Sequence, residues 1–184
     1  GDGAGPAPRA RVIALVGLRG AGKSTIGRRL AERLHRPFVE LDQLVESAAG
    51  LKLEEIFALH GDAFYRRLET ATLEAFFRDR PEAVLATGGG IVTNAQAFGL
   101  LKELSTVVWL KATVDEHWSR VVRQGDRRPM RANPRAKAEL KALLRTREPL
   151  YRQADRVVDT SELGVAGSVE ALARALPGAS PVSS

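Results

Sequence analysis

A glycine-rich octapeptide near the start of the chain has the residue types and spacing of a phosphate-binding loop. Its residues are Gly17, Leu18, Arg19, Gly20, Ala21, Gly22, Lys23 and Ser24, which fit the pattern GxxxxGK[ST]. The glycines allow backbone N–H groups to converge on phosphate oxygens. In such a loop the lysine reaches the β and γ phosphates of a nucleotide, and the hydroxyl of the serine binds Mg²⁺. We therefore predict a nucleotide site from Gly17 through Thr25.

This motif needs a buried strand before it and a helix after it, and the sequence supplies both. Val12–Val16 is an uninterrupted apolar run, as expected of a strand buried on both faces. Between Lys23 and Leu34 apolar residues recur at every fourth position, which predicts an amphipathic helix. The N-terminus of that helix adds its positive dipole to the loop.

Short apolar runs and amphipathic stretches alternate along the rest of the chain. The further predicted strands are 38–41, 83–86, 106–111 and 156–159, and the further predicted helices are 53–60, 62–78, 95–104, 114–124 and 136–147. Strands separated by helices form a parallel sheet with helices on both faces. The sequence therefore predicts an α/β fold around a five-stranded parallel sheet.

Length and composition narrow the class of partner. The 184 residues favour a single domain, and the net charge of +6 favours an anionic ligand. Basic residues crowd the stretch 127–137, but few aromatic residues accompany them, so we favour a small phosphate-bearing ligand over direct nucleic-acid binding. The chain has no cysteine, which excludes thiolate metal sites and suits a reducing cytoplasm. Apolar runs are too short for a membrane helix, so we predict no membrane partner.

Several further motifs follow the loop in a fixed order. They are Glu40-Leu41-Asp42, Phe64 to Glu69, Gly88-Gly89-Gly90, Arg128-Pro129, Arg147 with Pro149-Leu150-Tyr151, and Val158-Asp159-Thr160. Taken together, these motifs resemble those of the shikimate kinase family from about residue 12 to residue 175. The resemblance implies a three-layer P-loop kinase fold with a mobile lid over about residues 125–139. It also implies transfer of a phosphoryl group from ATP, with Mg²⁺, to a hydroxyl of shikimate.

The resemblance assigns roles to individual residues. Asp42 would orient the hydroxyl of the acceptor or take its proton, while Arg66 and Arg147 would hold the carboxylate of the acceptor. Lys23 and Arg128 would stabilise the charge on the transferred group. The remaining implied residues are Gly88, Gly89 and Gly90 for the acceptor, Arg123 for the adenine ring, and Ser24 and Glu40 for the metal ion.

These assignments have structural alternatives. Asp42 belongs to a residue type that caps a helix after a strand. Arg66 and Arg67 are adjacent on a predicted helix and point in different directions, so only one of them can enter a cleft. Gly88 to Gly90 could also form a plain turn without a role in binding. The arginines of the lid could simply be exposed to solvent.

The chain departs from the family at Glu40, where shikimate kinases usually carry aspartate. Because Mg²⁺ demands near-ideal octahedral geometry, the longer side chain predicts a poorly placed metal ion. The stretches 109–112, 116–117 and 124–130 resemble a second group, the shikimate-kinase-like effector domains of helix-turn-helix regulators of benzoate degradation. Under that alternative the chain would sense benzoyl-CoA and act on DNA only through a DNA-binding domain preceding it.

Motifs and composition together predict how the chain is divided into a domain and terminal segments. We predict a linker or an expression remnant over residues 1–10, one domain over 11–176 and a flexible tail over 177–184. The Gly/Pro-rich start without an initiator methionine suits a domain cut from a regulator. The sequence contains no signal for the oligomeric state.

Overall fold

Five apolar segments of the chain pair as parallel strands of one sheet, in the order β2-β3-β1-β4-β5. The structure is a computed structural model that describes residues 8–18, 21–113 and 134–176. The strands are β1 (Val12–Val16), β2 (Phe38–Glu40), β3 (Ala83–Ala86), β4 (Thr106–Lys111) and β5 (Arg156–Asp159). The helices are α1 (Pro8–Arg11), α2 (Lys23–Leu34), α3 (Leu41–Ala49), α4 (Leu53–Arg78), α5 (Ala95–Leu104), α6 (Pro134–Tyr151) and α7 (Thr160–Ala175), with a 3-10 turn at Ile91–Thr93. The predicted α/β fold with a five-stranded parallel sheet is confirmed.

The central strand β1 is covered on both faces. Val12, Ala14 and Val16 belong to one buried cluster, while Ile13 and Leu15 belong to a second cluster on the opposite face of the sheet. Burial of a large apolar side chain contributes about 1.5–3 kcal/mol. Packing on both faces therefore fixes the position of β1 in the sheet. The phosphate-binding motif begins at the carboxyl end of this strand.

The structure corrects several predicted elements, among them the helix predicted for 136–147, which spans Pro134–Tyr151. The strand predicted for 38–41 ends at Glu40, and α3 begins directly at Leu41, a helix that the sequence analysis did not predict. The helices predicted for 53–60 and 62–78 are the two halves of α4, which is kinked at Gly61 (φ 81°, ψ 174°). Helix α7 was also not predicted. The helix predicted for 114–124 lies outside the described residues.

The first described segment is tied to the amino end of the sheet. Arg9 Nη2 donates a hydrogen bond to Asp155 Oδ1 at 2.6 Å, and the Thr106 hydroxyl donates to the Arg9 carbonyl oxygen at 2.6 Å. Residues 8–10, the last part of the predicted linker, thus belong to the helix Pro8–Arg11. Residues 1–7 and the predicted tail 177–184 lie outside the described residues, so those predictions stay predictions. No helix in the described ranges is long and apolar enough to cross a membrane.

Gly27 allows α2 to lie close to the sheet. A Cβ atom at this position would lie 2.5 Å from Phe38 Cε1 and 3.1 Å from Leu15 Cδ1. We therefore expect Gly27→Ala to lower the free energy of unfolding by about 1–3 kcal/mol, because overpacking forces side chains out of their rotamers. Urea denaturation measures the change.

Gly99 in α5 is the matched control, because nothing lies within 4 Å of a Cβ built there. Gly99→Ala is expected to stabilise the chain by about 0.5–1 kcal/mol, since alanine loses less backbone entropy in a helix. Equal stability of the Gly27→Ala variant and the wild-type chain would contradict this account of the α2 packing.

Candidate active site

The phosphate-binding motif lies at the carboxyl end of β1 and leads into α2. Gly17 has a φ of +152°, and a Cβ atom there would lie 2.7 Å from the carbonyl oxygen of Leu110, so the backbone requires glycine. Gly22, with a φ of 93°, precedes the first turn of α2. Leu18 and Ala21 are buried, and the backbone N–H of Ala21 donates to the Leu18 carbonyl at 3.1 Å. Arg19 and Gly20 lie outside the described residues.

Lys23 is held by its own loop. Its ammonium group donates hydrogen bonds to the carbonyl oxygens of Gly17 and Leu18, the latter at 3.3 Å. Burial lowers the pKa of Lys23 to about 8, and the nearby carboxylate of Asp42 partly offsets this effect. The charge of Lys23 is therefore poorly solvated, and phosphate oxygens would offer it stronger partners than carbonyl groups do.

Two oxygen-bearing side chains meet beside the loop. The hydroxyl of Ser24, on the first turn of α2, donates to Glu40 Oε1 at 2.6 Å. The side chain of Glu40 is one methylene group longer than that of aspartate, and in this position it accepts a hydrogen bond from Ser24. Arg28 Nη2 lies 3.9 Å from Glu40 Oε2, an ion pair whose arginine is largely exposed.

Asp42 lies in the first turn of α3, immediately after β2. A Cβ atom added to Gly88 would lie 3.0 Å from Asp42 Oδ1, so glycine at that position leaves room for the carboxylate. Asp42 Oδ1 is buried without a hydrogen-bond partner among the described residues. Burial raises the pKa of Asp42, and the charge of Lys23 acts in the opposite direction. The N-cap residue of α3 is Glu40, so the structure does not support the alternative that Asp42 caps this helix.

Two arginines approach the loop after β3 from different helices. Arg66 Nη1, on α4, donates to the Thr93 carbonyl at 2.7 Å, and Arg147 Nη1, on α6, donates to the Gly89 carbonyl at 2.7 Å. The adjacent Arg67 lies at a separate surface groove between α4 and α5. As expected from their different directions, only one of the paired arginines enters the cleft.

Two cavities meet at Asp42. The larger, of about 490 Å³, is lined by the loop residues Gly22 to Thr25 and by Glu40. The smaller, of about 280 Å³, is lined by Arg66, Arg147 and the Gly88–Gly90 turn, among others. Asp42, Leu53, Gly88 and Gly89 line both cavities. A ligand in the larger cavity would therefore contact a ligand in the smaller one beside the Asp42 carboxylate.

Only the end of the predicted lid falls within the described residues. Arg123 and Arg128 lie outside the described residues, and of the predicted lid only 134–139 is described, as the start of α6. The lid and the roles of these two arginines stay predictions.

A buried hydrogen-bonded network beside Asp42 is not predicted from the sequence. Glu69 is 2% exposed and accepts hydrogen bonds from the Tyr65 hydroxyl at 3.1 Å and from Asn94 Nδ2 at 2.9 Å. Burial raises the pKa of Glu69 and that of Tyr65, and the Tyr65 hydroxyl also interacts with Asp42. Tyr65 and Glu69 are one helical turn apart, which is the one signal in the sequence that could have paired them.

A phosphate-binding loop at the carboxyl edge of a parallel sheet, joined to a small polar cavity, defines the class of P-loop kinases of small molecules. The family model described as shikimate kinase matches residues 19–176, and the chain belongs to the shikimate kinase family. The resemblance found in the sequence is thereby confirmed.

Relatives and solved structures agree with this assignment. The chain is 42% identical to a shikimate kinase of Bordetella pertussis over 161 residues, which cover 87% of this chain and 75% of that relative. It is 42% identical to a shikimate kinase of Caulobacter vibrioides over 168 residues, 91% of this chain and 83% of that relative. The structure of an Acinetobacter baumannii shikimate kinase in complex with shikimate matches with a TM-score of 0.78 and 34% identity, over 90% of this chain and 92% of that one. A shikimate kinase from Bacteroides thetaiotaomicron matches with a TM-score of 0.80 and 27% identity, over 89% and 96%.

Proposed function

We propose that the chain transfers the γ-phosphoryl group of ATP to a hydroxyl group of shikimate. One observation carries this proposal. Asp42 Oδ1 lies at the junction of the two cavities, where it is buried and has no hydrogen-bond partner among the described residues. Family membership supports the same reaction. The alternative considered from the sequence, a domain that senses benzoyl-CoA, is not favoured, since the relatives are shikimate kinases.

The smaller cavity fits a compact acceptor that carries a carboxylate. Arg66 and Arg147 each use one nitrogen to hold a backbone carbonyl, which leaves other N–H groups for a carboxylate. Arg147 Nε is buried and has no partner in the part of the chain that is described. Such an acceptor would be bound at one end by guanidinium groups, with a hydroxyl placed at Asp42.

In the proposed reaction the Asp42 carboxylate accepts the proton of that hydroxyl as its oxygen attacks the γ-phosphorus. A new bond joins the acceptor oxygen to phosphorus, and the bond between phosphorus and the β–γ bridging oxygen breaks, so that ADP leaves. Lys23, released from its carbonyl partners, offsets the negative charge on the phosphates. The roles of Asp42 and Lys23 here are proposals, as is that of Arg128.

Ser24 and Glu40 fit a hard divalent cation. Their oxygens lie 2.6 Å apart, and both residues line the larger cavity. Mg²⁺ is commonly bound by one or two protein oxygens together with phosphates and water. No group of three carboxylate or imidazole side chains that could bind a metal is found in the described ranges. When bound, Mg²⁺ would neutralise charge on the phosphate oxygens. We propose Ser24 and Glu40 as the residues that hold it.

The reaction is tested by measuring ADP formation in the presence of ATP and Mg²⁺, with and without shikimate. We expect release of ADP that depends on shikimate. Calorimetry with benzoyl-CoA is run in parallel. Tight binding of benzoyl-CoA without turnover of shikimate would overturn the proposal in favour of a sensing domain.

Glu40→Asp tests whether the contact with Ser24 matters for the cation. Because the shorter side chain cannot span the present 2.6 Å contact without movement of the backbone, we expect the Mg²⁺ concentration for half-maximal activity to rise several-fold. Affinity for ADP without Mg²⁺ should be unchanged in calorimetry.

Glu32, an exposed residue of α2, provides the matched control. Glu32→Asp is expected to leave the Mg²⁺ dependence unchanged. A lower Mg²⁺ requirement in Glu40→Asp would instead show that the longer side chain holds the metal ion poorly, as the departure from the family pattern suggested.

Other predictions from the sequence are consistent with this function but are not tested by it. A cytoplasmic location and the absence of direct contact with nucleic acid stay predictions.

A further inference from the structure

Tyr151 contacts both strand β4 and the turn that lines the smaller cavity, here called the acceptor cavity. It is the last residue of α6 and is 0% exposed. Its ring stacks on that of Trp109 in β4, with 5.3 Å between the ring centroids and 14° between the planes. Its hydroxyl donates a hydrogen bond to the Gly89 carbonyl at 3.1 Å. A buried ring and a rigid strand thus fix the position of this hydroxyl.

The Gly89 carbonyl has a second donor. Arg147 Nη1 contacts the same oxygen at 2.7 Å, and Arg147 precedes Tyr151 by one helical turn, on the same side of α6. A carbonyl oxygen has two lone pairs, so both donors can be accommodated. Gly89 therefore receives one hydrogen bond from a half-buried charged group and one from a fully buried neutral group.

The two donors differ in what a ligand would do to them. Arg147 lines the acceptor cavity and its buried Nε has no partner within the described ranges, so a carboxylate there would draw the guanidinium toward itself. Tyr151 does not line either cavity. A ligand carboxylate can therefore compete with Gly89 for the Arg147 guanidinium, but not for the Tyr151 hydroxyl.

We propose that Tyr151 is a positioning residue for the acceptor, whose hydroxyl holds the Gly88–Gly90 turn in place through the Gly89 carbonyl while Arg147 engages the carboxylate. This inference rests on the proposed function. It assigns to Tyr151 no contact with the reacting atoms.

Tyr151→Phe removes the hydroxyl and keeps the ring against Trp109. We expect the dissociation constant and the KM for shikimate to rise about 5- to 20-fold, as the loss of one buried hydrogen bond implies. The KM for ATP and kcat at saturating shikimate should change less than about twofold, since the nucleotide loop and Asp42 are retained. A merely structural defect would lower the fraction of active enzyme and so reduce kcat without a selective change in KM.

Ser105→Ala is the matched control. The Ser105 hydroxyl is also buried and donates to a carbonyl oxygen, that of Leu101, at 2.6 Å, but it lies at the amino end of β4, away from both cavities. This variant is expected to lose stability comparable to that lost by Tyr151→Phe and to keep the affinity for shikimate. A similar loss of shikimate affinity in both variants would overturn the inference.

Hydrogen exchange of the ligand-free chain separates this inference from the proposed function. The amides of Ile91 and Thr93, which donate to the carbonyl oxygens of Gly88 and Gly90 at 3.2 and 2.9 Å, should exchange faster in Tyr151→Phe than in the wild-type chain and in Ser105→Ala. If the wild-type chain does not bind shikimate, the proposed function fails, while the exchange rates still decide whether Tyr151 holds the turn. Unchanged exchange in Tyr151→Phe would overturn the inference even in an active kinase.

Discussion

Replacement of Asp42 by asparagine is expected to lower kcat for shikimate-dependent ADP formation by about 10²- to 10⁴-fold, the usual contribution of a positioned general base. Asparagine keeps the shape of the side chain but cannot accept the proton of the hydroxyl. The Asp42 carboxylate is poorly solvated in the folded chain, where burial raises its pKa and the Lys23 charge opposes that effect. An amide removes both the proton acceptor and the negative charge that acts on Lys23.

Binding should change much less than turnover. Asp42 faces the junction of the cavities and the loop residues are untouched, so the affinity for ATP measured by calorimetry should stay within about threefold, a change of less than about 1 kcal/mol. Glu54→Gln is the control for loss of a carboxylate, because Glu54 is exposed and lines neither cavity. Wild-type kcat in Asp42→Asn would show that another group accepts the proton.

The part of the site that could be predicted from the sequence is the part encoded locally. The phosphate-binding loop needs a fixed run of residues between a strand and a helix, so Gly17, Lys23 and Ser24 were recognised together. Their contacts in the structure follow from that local geometry. The role of Asp42 is implied by the resemblance to the shikimate kinase family, and its place just after a strand agrees with the carboxyl edge of a parallel sheet, where ligands bind.

The residues that support the site were missed because their partners are distant in the sequence. Tyr151 and Gly89 are 62 positions apart, and Asn94 and Glu69 are 25 positions apart, and only the tertiary fold brings them together. The predicted helix 136–147 ends before Pro149, a residue type that disfavours helical backbone in the residue before it. The helix in fact continues to Tyr151, which aligns the tyrosine with Arg147.

The two unpredicted helices have different physical causes. Helix α3 follows β2 without a connecting residue, so the apolar residue Leu41 was assigned to the strand rather than to the helix. Helix α7 contains Gly164, which has a φ of 70° and kinks it, and glycine lowers helix propensity. The cap of α7 was available in the sequence, because Asp159 accepts hydrogen bonds from the backbone N–H groups of Ser161 and Glu162.

Lys23→Ala is expected to weaken binding of ATP and ADP by about 10- to 150-fold, because a charge-assisted hydrogen bond contributes about 1.5–3 kcal/mol. In the ligand-free chain the ammonium group is bound to carbonyl oxygens of its own loop, and its charge is destabilised by burial. Phosphate oxygens would relieve that cost, so the interaction is stronger than that of an exposed lysine. Calorimetry on both proteins with Mg²⁺ and each nucleotide measures the loss.

Two further variants separate the loss of nucleotide affinity from the effects of a changed net charge and of a collapsed loop. Arg29→Ala removes one positive charge from an exposed position on the same helix and should leave nucleotide affinity within about twofold, because surface charges are screened by salt. Lys23→Met fills the space of the methylene chain without the charge, so it keeps the packing of the loop and should weaken binding as much as Lys23→Ala does. Nucleotide affinity equal to that of the wild-type chain in both Lys23 variants would show that the lysine remains on its carbonyl partners and does not bind phosphate.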